Sequence, residues 1–309
     1  MYLYVMNDLV SGVLIMSSVV KRVTKQGLFK PEHPFVEDTV YEVIMGSMAY
    51  GVSDNNSDLD IYAVVVPSQT IVFPHLAGNI HGFGEAPVKW EGQQKHHMMM
   101  DKKEYDVNIY SLIPYFQLCY ENNPNMLDSL FVPERCVLVA NDVGHHMRQH
   151  RKLFLSKRIA DKMRGYAFGE FKKLEKEYDA ESNPKRYASY VKYGYDVKSA
   201  YHVVRLMLEA EMALIEGDLD LEYHREHLKF IRRGGYTLTQ LHEWFHAKDA
   251  ELMVIKDKSK LPVRADPERL RLLLLECLEL HFGEDYGQFK GADGVAVETL
   301  EAIRRLVTK

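Results

Sequence analysis

The sequence predicts an α+β fold in which a head of strands and helices, residues 1–140, precedes an all-helical domain, residues 141–309. Two apolar runs, at 41–45 and 61–66, have the length of buried strands, and a polar turn separates them. From about His145 onward, apolar residues recur at the spacing of amphipathic helices instead. We therefore expect the strands to lie in the head and long helices to follow them.

Local signals place the elements of the head. Gly27 ends an N-terminal helix, and Pro67 ends the second strand because proline lacks the amide hydrogen of a strand pair. Glycine-rich composition over 68–103 indicates a loop-rich insertion with a possible hairpin, and Asn125 is a candidate N-cap. In chain order we predict first a helix over 7–26 and then strands over 40–45 and 60–66, with a helical turn from Ser47 between the two strands. A strand over 104–110 and helices over 114–120 and 125–131 follow.

Glycines also divide the helical domain. Helices commonly end at glycine, and Gly217 and Gly234 stand between periodic segments. The predicted helices cover 146–178, 187–216, 223–232, 237–255, 266–282 and 295–307.

The composition is ordinary for a globular protein, and no apolar run is long enough to cross a bilayer. Three cysteines, far apart and odd in number, together with the lack of an evident signal peptide, favour a cytoplasmic location. The net charge of −5 excludes a wholly basic coat for nucleic acid, but it is compatible with a local basic face.

The most informative stretch is 46–60, where a Gly-Ser turn follows the first strand and Ser-Asp-Leu-Asp opens the second. Side chains two apart on a strand point the same way, so Asp58 and Asp60 project together. Two carboxylates held that close repel unless a cation lies between them, and Mg²⁺ prefers such oxygen ligands. A solvated turn is the alternative interpretation, but it leaves the carboxylate inside an apolar strand unexplained.

Gly46-Ser47 followed by Ser57-Asp58-x-Asp60 resembles the signature of the DNA polymerase β-like nucleotidyltransferase superfamily. In detail it is similar to the nucleotidyltransferases found beside phage and bacterial RNA ligases. The resemblance covers most of residues 40–282 and implies a head with a small mixed sheet and helices. It continues through the segments 104–107, 123–131, 194–205 and 231–234.

The resemblance implies roles for individual residues. Asp58 and Asp60 would hold Mg²⁺, with Mn²⁺ as an alternative. A third carboxylate, Asp106 by the family pattern or Glu104 on the same strand face, would hold a metal and take a proton from the attacking hydroxyl. The Gly46–Ser47 turn would contact the leaving phosphates of a nucleoside triphosphate (NTP).

Lys198, His202 and Arg205 are spaced i, i+4 and i+7, which places them on one helix face. The resemblance implies that this face binds nucleotide phosphates. Without the resemblance, an exposed polar stripe is the simpler interpretation.

A basic segment at 148–164 carries seven Lys and Arg residues against a single acid, Asp161. It fits either a polyanionic acceptor or a solvated helix face. The residues predicted to bind an acceptor are Arg151, Lys152, Lys157 and Arg158.

One competing motif is present. His242-Glu243-Trp244-Phe245-His246 fits the H-E-x-x-H pattern of helical zinc proteases. The extended form would need glycine and histidine where Asp249 and Leu252 stand, so we interpret the match as structural. We interpret the pair His96-His97 as surface histidines.

These observations predict a metal-dependent, template-independent nucleotidyltransferase, in which an acceptor hydroxyl attacks the α-phosphate of an NTP. The resemblance implies an RNA acceptor, such as a tRNA 3′ end under repair, and an RNA ligase as a partner. Transfer to a protein side chain is one alternative. An inactive nucleotide- or RNA-binding module is another, and the intact set of Asp58, Asp60 and Asp106 argues against it.

Overall fold

One mixed sheet of five strands occupies the first half of the chain. The strands are β1 (Thr39–Ile44), β2 (Leu59–Val65), β3 (Gly92–Met100), β4 (Lys103–Ser111) and β5 (Val137–Ala140). Their order across the sheet is β3-β4-β2-β1-β5. β2 and β4 run parallel, and the other neighbouring strands run antiparallel.

Twelve α-helices complete the part of the chain that the structure, a computed structural model, describes: residues 18–54, 57–73, 90–176, 178–181 and 183–283. No helix within these ranges combines the length and apolar character needed to span a bilayer. The helices are α1 (Val19–Lys25), α2 (Gly46–Ala49), α3 (Gln69–Val72), α4 (Leu112–Tyr120), α5 (Pro124–Phe131), α6 (Asp142–Gln149), α7 (Arg158–Phe171), α8 (Pro184–Tyr193), α9 (Val197–Glu216), α10 (Arg225–Arg232), α11 (Leu238–Lys258) and α12 (Pro267–Phe282).

Different helices cover the two faces of the sheet. On one face, the buried Glu42 carboxylate of β1 accepts hydrogen bonds from the Ser18 hydroxyl and the Val19 amide at the start of α1, each 2.6 Å long. On the other face, the Tyr41 hydroxyl donates to the Ser129 carbonyl of α5 at 2.7 Å. Directly paired residues of neighbouring strands share a face, so this second face continues across β2 and β4.

Helix α9 lies at the centre of the helical part, where it packs against α7, α8, α10 and α11. Its residues 203–210 are all buried. A 20-residue α-helix is about 30 Å long, so the two ends of α9 lie far apart in the molecule.

The predicted fold class is confirmed, because a small mixed sheet with helices is followed by helices alone among the described residues. The possible hairpin of the insertion is present, because residues 92–100 form β3, which pairs antiparallel with β4 across a turn at 101–102. Two other details of the head were wrong: β5 was not predicted, and the N-cap of α5 is Asn123 instead of Asn125.

Two of the predicted long helices are interrupted. The segment 146–178 contains the end of α6, a 3-10 turn at Arg151–Phe154, and α7. The segment 187–216 is divided into α8 and α9 because Gly194 takes a φ of 77°, which ends α8 in the left-handed conformation. The predicted helix over 295–307, residues 74–89 of the insertion and the first part of the predicted N-terminal helix lie outside the described residues.

Candidate active site

The centre of the candidate site is a pair of aspartates on the adjacent parallel strands β2 and β4. The register pairs Asp60 directly with Asp106, and both side chains are half-buried. Burial, and after it the Asp106 carboxylate, raises the pKa of Asp60 above its usual range. Asp58 acts in the same direction, and the positive charge of Lys198 opposes it. The structure therefore brings the three predicted aspartates and Lys198 into one electrostatic environment.

Gly46 lies against the Asp60 carboxylate at the end of β1. Its φ is 62°, and a Cβ atom at this position would overlap the Oδ2 atom of Asp60. The preceding amide, that of Met45, donates to the Asp60 carbonyl at 2.7 Å. α2 begins at Gly46, so Ser47 lies in the first turn of that short helix and directly follows the residue that contacts Asp60. Both the backbone conformation and the close approach explain why glycine stands at this position.

Replacing Gly46 by Ala is expected to displace the Asp60 carboxylate and to lower strongly the nucleotidyl transfer that the sequence predicts. Gly194→Ala is the matched control, because Gly194 has a similar positive φ of 77° but no atom within 4 Å of a built Cβ. Both variants carry a backbone penalty of about 1–2 kcal/mol, which thermal unfolding measures. Steady-state transfer rates should fall only in Gly46→Ala, and an equal loss in both variants would remove the steric argument.

Asp58 precedes β2 and is exposed. Its Oδ1 atom lies 3.8 Å from Nζ of Lys185, which belongs to α8 of the helical part. Asp58, the most exposed of the predicted carboxylates, therefore lies near a basic side chain of the helical part.

Asp106 is held from the β3 side of the sheet. Its Oδ1 atom accepts the backbone amide of His97 at 2.7 Å, and its Oδ2 atom lies 3.3 Å from Nδ1 of His96. The His97 ring bonds to the Glu104 carboxylate, and this bond raises the pKa of His97. Both histidines are exposed, as predicted, but their contacts with the candidate acids were not foreseen.

The register also bears on the choice of the third acid. Asp106 lies directly beside Asp60, whereas Glu104 lies two residues earlier on β4 and bonds to His97. The catalytic and metal-binding roles of these acids stay predictions.

The stripe of Lys198, His202 and Arg205 runs along α9 from solvent into the core. Lys198 is exposed and His202 is half-buried. Burial, followed by the charges of Arg205 and Lys198, holds the pKa of His202 well below its usual range, so its ring is neutral at pH 7. Only the first two members of the stripe are open to a ligand in this arrangement.

Arg205 is buried in a polar cluster between the sheet and the helices. Its Nη1 atom lies 2.6 Å from Oδ2 of Asp128 on α5 and 3.1 Å from Oε2 of Glu209 on α9. It also donates to the Tyr50 hydroxyl, and its guanidinium lies 4.4 Å from the centre of the Tyr50 ring. These bonds would have to break before Arg205 could contact a triphosphate.

The predicted acceptor-binding residues lie elsewhere. Lys152 forms an ion pair of 2.6 Å with Asp218, just beyond the C-terminal end of α9, whereas Lys198 lies at its N-terminal end. The length of α9 separates these two positions by about 30 Å. The other three contact neighbouring groups: Arg151 the Phe131 ring, Lys157 the Asp257 carbonyl, and Arg158 the Tyr120 ring.

The H-E-x-x-H segment lies on α11, where Nε2 of His242 is 3.2 Å from a carboxylate oxygen of Glu175 and its ring packs on Phe171. Among the described residues, the side chains that lie close enough together to hold a metal ion are those of His97, Glu104 and Asp106, which do not belong to this motif. The interpretation of the motif as structural stays a prediction.

Comparison with known proteins gives a family match and a distant similarity to a solved structure. No curated protein matches the chain significantly. Among solved structures, the chain is similar to a nucleotidyltransferase-like protein from Exiguobacterium sibiricum 255-15, with 10% identity, a TM-score of 0.28, and coverage of 84% of this chain and 72% of that chain. That similarity is too distant to carry an argument. The family match spans residues 20–269, which include all the candidate residues above, and the chain therefore belongs to the RNA repair pathway DNA polymerase beta family.

Proposed function

We propose that the protein transfers a nucleoside monophosphate from an NTP to a hydroxyl of an RNA acceptor, in a reaction that depends on a divalent metal ion. The observation that carries this proposal is the pairing of Asp60 with Asp106 on adjacent parallel strands, with Gly46 against the Asp60 carboxylate. The family's place in RNA repair supports the choice of RNA.

The donor set fits a divalent cation. Asp58, Asp60 and Asp106 offer carboxylate oxygens, which suit Mg²⁺ and Mn²⁺. Burial and, after it, the like charges of Asp106 and Asp58 raise the pKa of Asp60, and a cation would offset the repulsion between these carboxylates. A bound divalent ion would polarise the transferred phosphate and lower the pKa of the attacking hydroxyl.

The chain's own residues then have separate tasks. Asp58 and Asp60 would hold the metal ion, and Asp106, oriented by the His97 amide, would accept the proton of the acceptor hydroxyl. Gly46 lets the backbone approach the leaving phosphates, and Ser47 offers them a hydroxyl. Lys198, exposed beside the acids, and the neutral His202 complete the phosphate-binding side.

An incubation experiment tests this function directly. Purified protein is mixed with each labelled NTP, Mg²⁺, and either tRNA or a protein acceptor. We expect label on the RNA with release of pyrophosphate, and no transfer after chelation of the metal. Label on protein alone would replace RNA with a side chain as the acceptor, and binding of NTP without transfer would favour an inactive binding module.

The position of the basic segment sets a requirement on the acceptor. An RNA that contacts both the acids and Lys152 must cover about 30 Å, which a folded tRNA can do and a trinucleotide cannot. The repaired end would then be a suitable substrate for an RNA ligase.

Replacing Arg151, Lys152, Lys157 and Arg158 together by Ala is expected to raise KM for tRNA and to flatten its salt dependence, because phosphate contacts release counterions. KM for the NTP and for a trinucleotide acceptor should stay unchanged. The control removes four exposed lysines of the head, namely Lys25, Lys30, Lys102 and Lys103, with the same change of net charge. If both variants behave alike towards tRNA, the segment is a solvated surface.

A further inference from the structure

An irregularity in the β3–β4 pairing places two histidines opposite one acid. The register pairs Lys95 with Val107 and Met98 with Tyr105, so His96 and His97 both stand opposite Asp106. His97 takes a φ of 58°, the left-handed conformation of a β-bulge. Neighbouring side chains of a regular strand point to opposite faces, but here both imidazoles contact acids of the same face.

The bulge creates a compact set of metal-ligand atoms. One donor atom each of His97, Glu104 and Asp106 lies within 4.8 Å of the other two. The His97 amide fixes Oδ1 of Asp106, while the His97 ring, 82% exposed, leaves the set open to solvent. His96 adds a second imidazole 3.3 Å from Oδ2 of Asp106.

The chemistry of this set differs from that of the three aspartates. Carboxylates alone suit Mg²⁺, whereas an imidazole nitrogen beside carboxylates raises the affinity for Mn²⁺ and, more strongly, for Zn²⁺. We propose that His97, Glu104 and Asp106 form a transition-metal site, with His96 at its edge, that binds Mn²⁺ or Zn²⁺ in preference to Mg²⁺. The site shares Asp106 with the proposed transferase site, but it goes beyond the proposed transfer, because its existence requires neither a triphosphate nor an acceptor.

Pulsed electron paramagnetic resonance of the full chain with Mn²⁺, without nucleotide, tests the proposal. An imidazole bound to Mn²⁺ gives a nitrogen coupling that carboxylate ligands cannot give. We expect this coupling in the wild type and its loss in His97→Ala. Excess Mg²⁺ should leave the coupled signal in place, and Zn²⁺ should remove it.

Two control variants separate this site from others. His145→Ala removes an exposed histidine of α6 and should leave the coupling unchanged. Asp60→Asn removes an acid of the proposed transferase site that is not part of this set, and it should also keep the coupling.

Failure of transfer with the coupling present would overturn the proposed function alone. Three results would overturn the metal site: no binding of Mn²⁺, bound Mn²⁺ without nitrogen coupling, or a coupling that survives in His97→Ala. Displacement of the coupled Mn²⁺ by Mg²⁺ as readily as by Zn²⁺ would also overturn it.

Discussion

Replacing Asp60 by Asn is expected to reduce nucleotidyl transfer by about 100-fold or more. Asp60 lies between Gly46 and Asp106, where its carboxylate is less exposed than that of Asp58. Stabilisation of transition-state charge by a metal ion contributes several kcal/mol, and each 1.36 kcal/mol is about tenfold in rate. The measurement is the transfer rate at saturating Mg²⁺, and a rate near that of the wild type would refute the assignment.

The same variant should be at least as stable as the wild type without metal. The pKa of Asp60 is higher in the folded state than in the unfolded state. At a pH above the unfolded-state pKa, the ionised carboxylate therefore lowers the free energy of unfolding. This penalty disappears as the pH falls through the folded-state pKa. Asn removes the charge and the pH dependence that comes from it. Thermal unfolding with a chelator, at pH 7 and at lower pH, measures this difference. Asp58→Asn, at an exposed position, is the control that should lose transfer without a change in stability.

Replacing Arg205 by Ala is expected to destabilise the fold by about 3–5 kcal/mol, the usual cost of removing one partner from a buried ion pair. The change would leave the buried carboxylates of Asp128 and Glu209 without their cation. Burial already raises the pKa of both acids, and the charge of Arg205 opposes that rise. Denaturant unfolding monitored by circular dichroism measures the loss.

Lys198→Ala is the matched control for this prediction. It lies on the same helix α9 but is exposed, so stability should change by less than about 0.5 kcal/mol. Its effect should appear in KM for the NTP, because it lies beside the acids. The structural role of Arg205 would be contradicted if Arg205→Ala raised only that KM and unfolded like the wild type.

Local spacing was sufficient to predict the strands on either side of the segment that holds Asp58 and Asp60. Apolar runs of strand length give that signal from the sequence alone. The metal-binding role of the two aspartates stays a prediction. β5 could not be predicted in the same way, because four apolar residues acquire strand structure only by pairing with β1.

The missed features depend on contacts between distant segments. A β-bulge is defined by its partner strand, so nothing in the sequence showed that His96 and His97 both face Asp106. The periodicity of α9 placed Arg205 on the stripe with Lys198, but the burial of Arg205 depends on its contacts with Tyr50 and with Asp128 of α5. Glu209, four residues after Arg205, was the available signal of an internal ion pair.

The length of α9 has a consequence for substrate choice under the proposed function. A helix keeps a fixed rise per residue, so α9 keeps Lys198, which lies near the acids, at a constant separation from its far end, where Asp218 pairs with Lys152. The protein would then select an acceptor by the distance between its RNA end and a distant phosphate. RNAs that are cut at the wrong place would present an end of the right chemistry at the wrong distance.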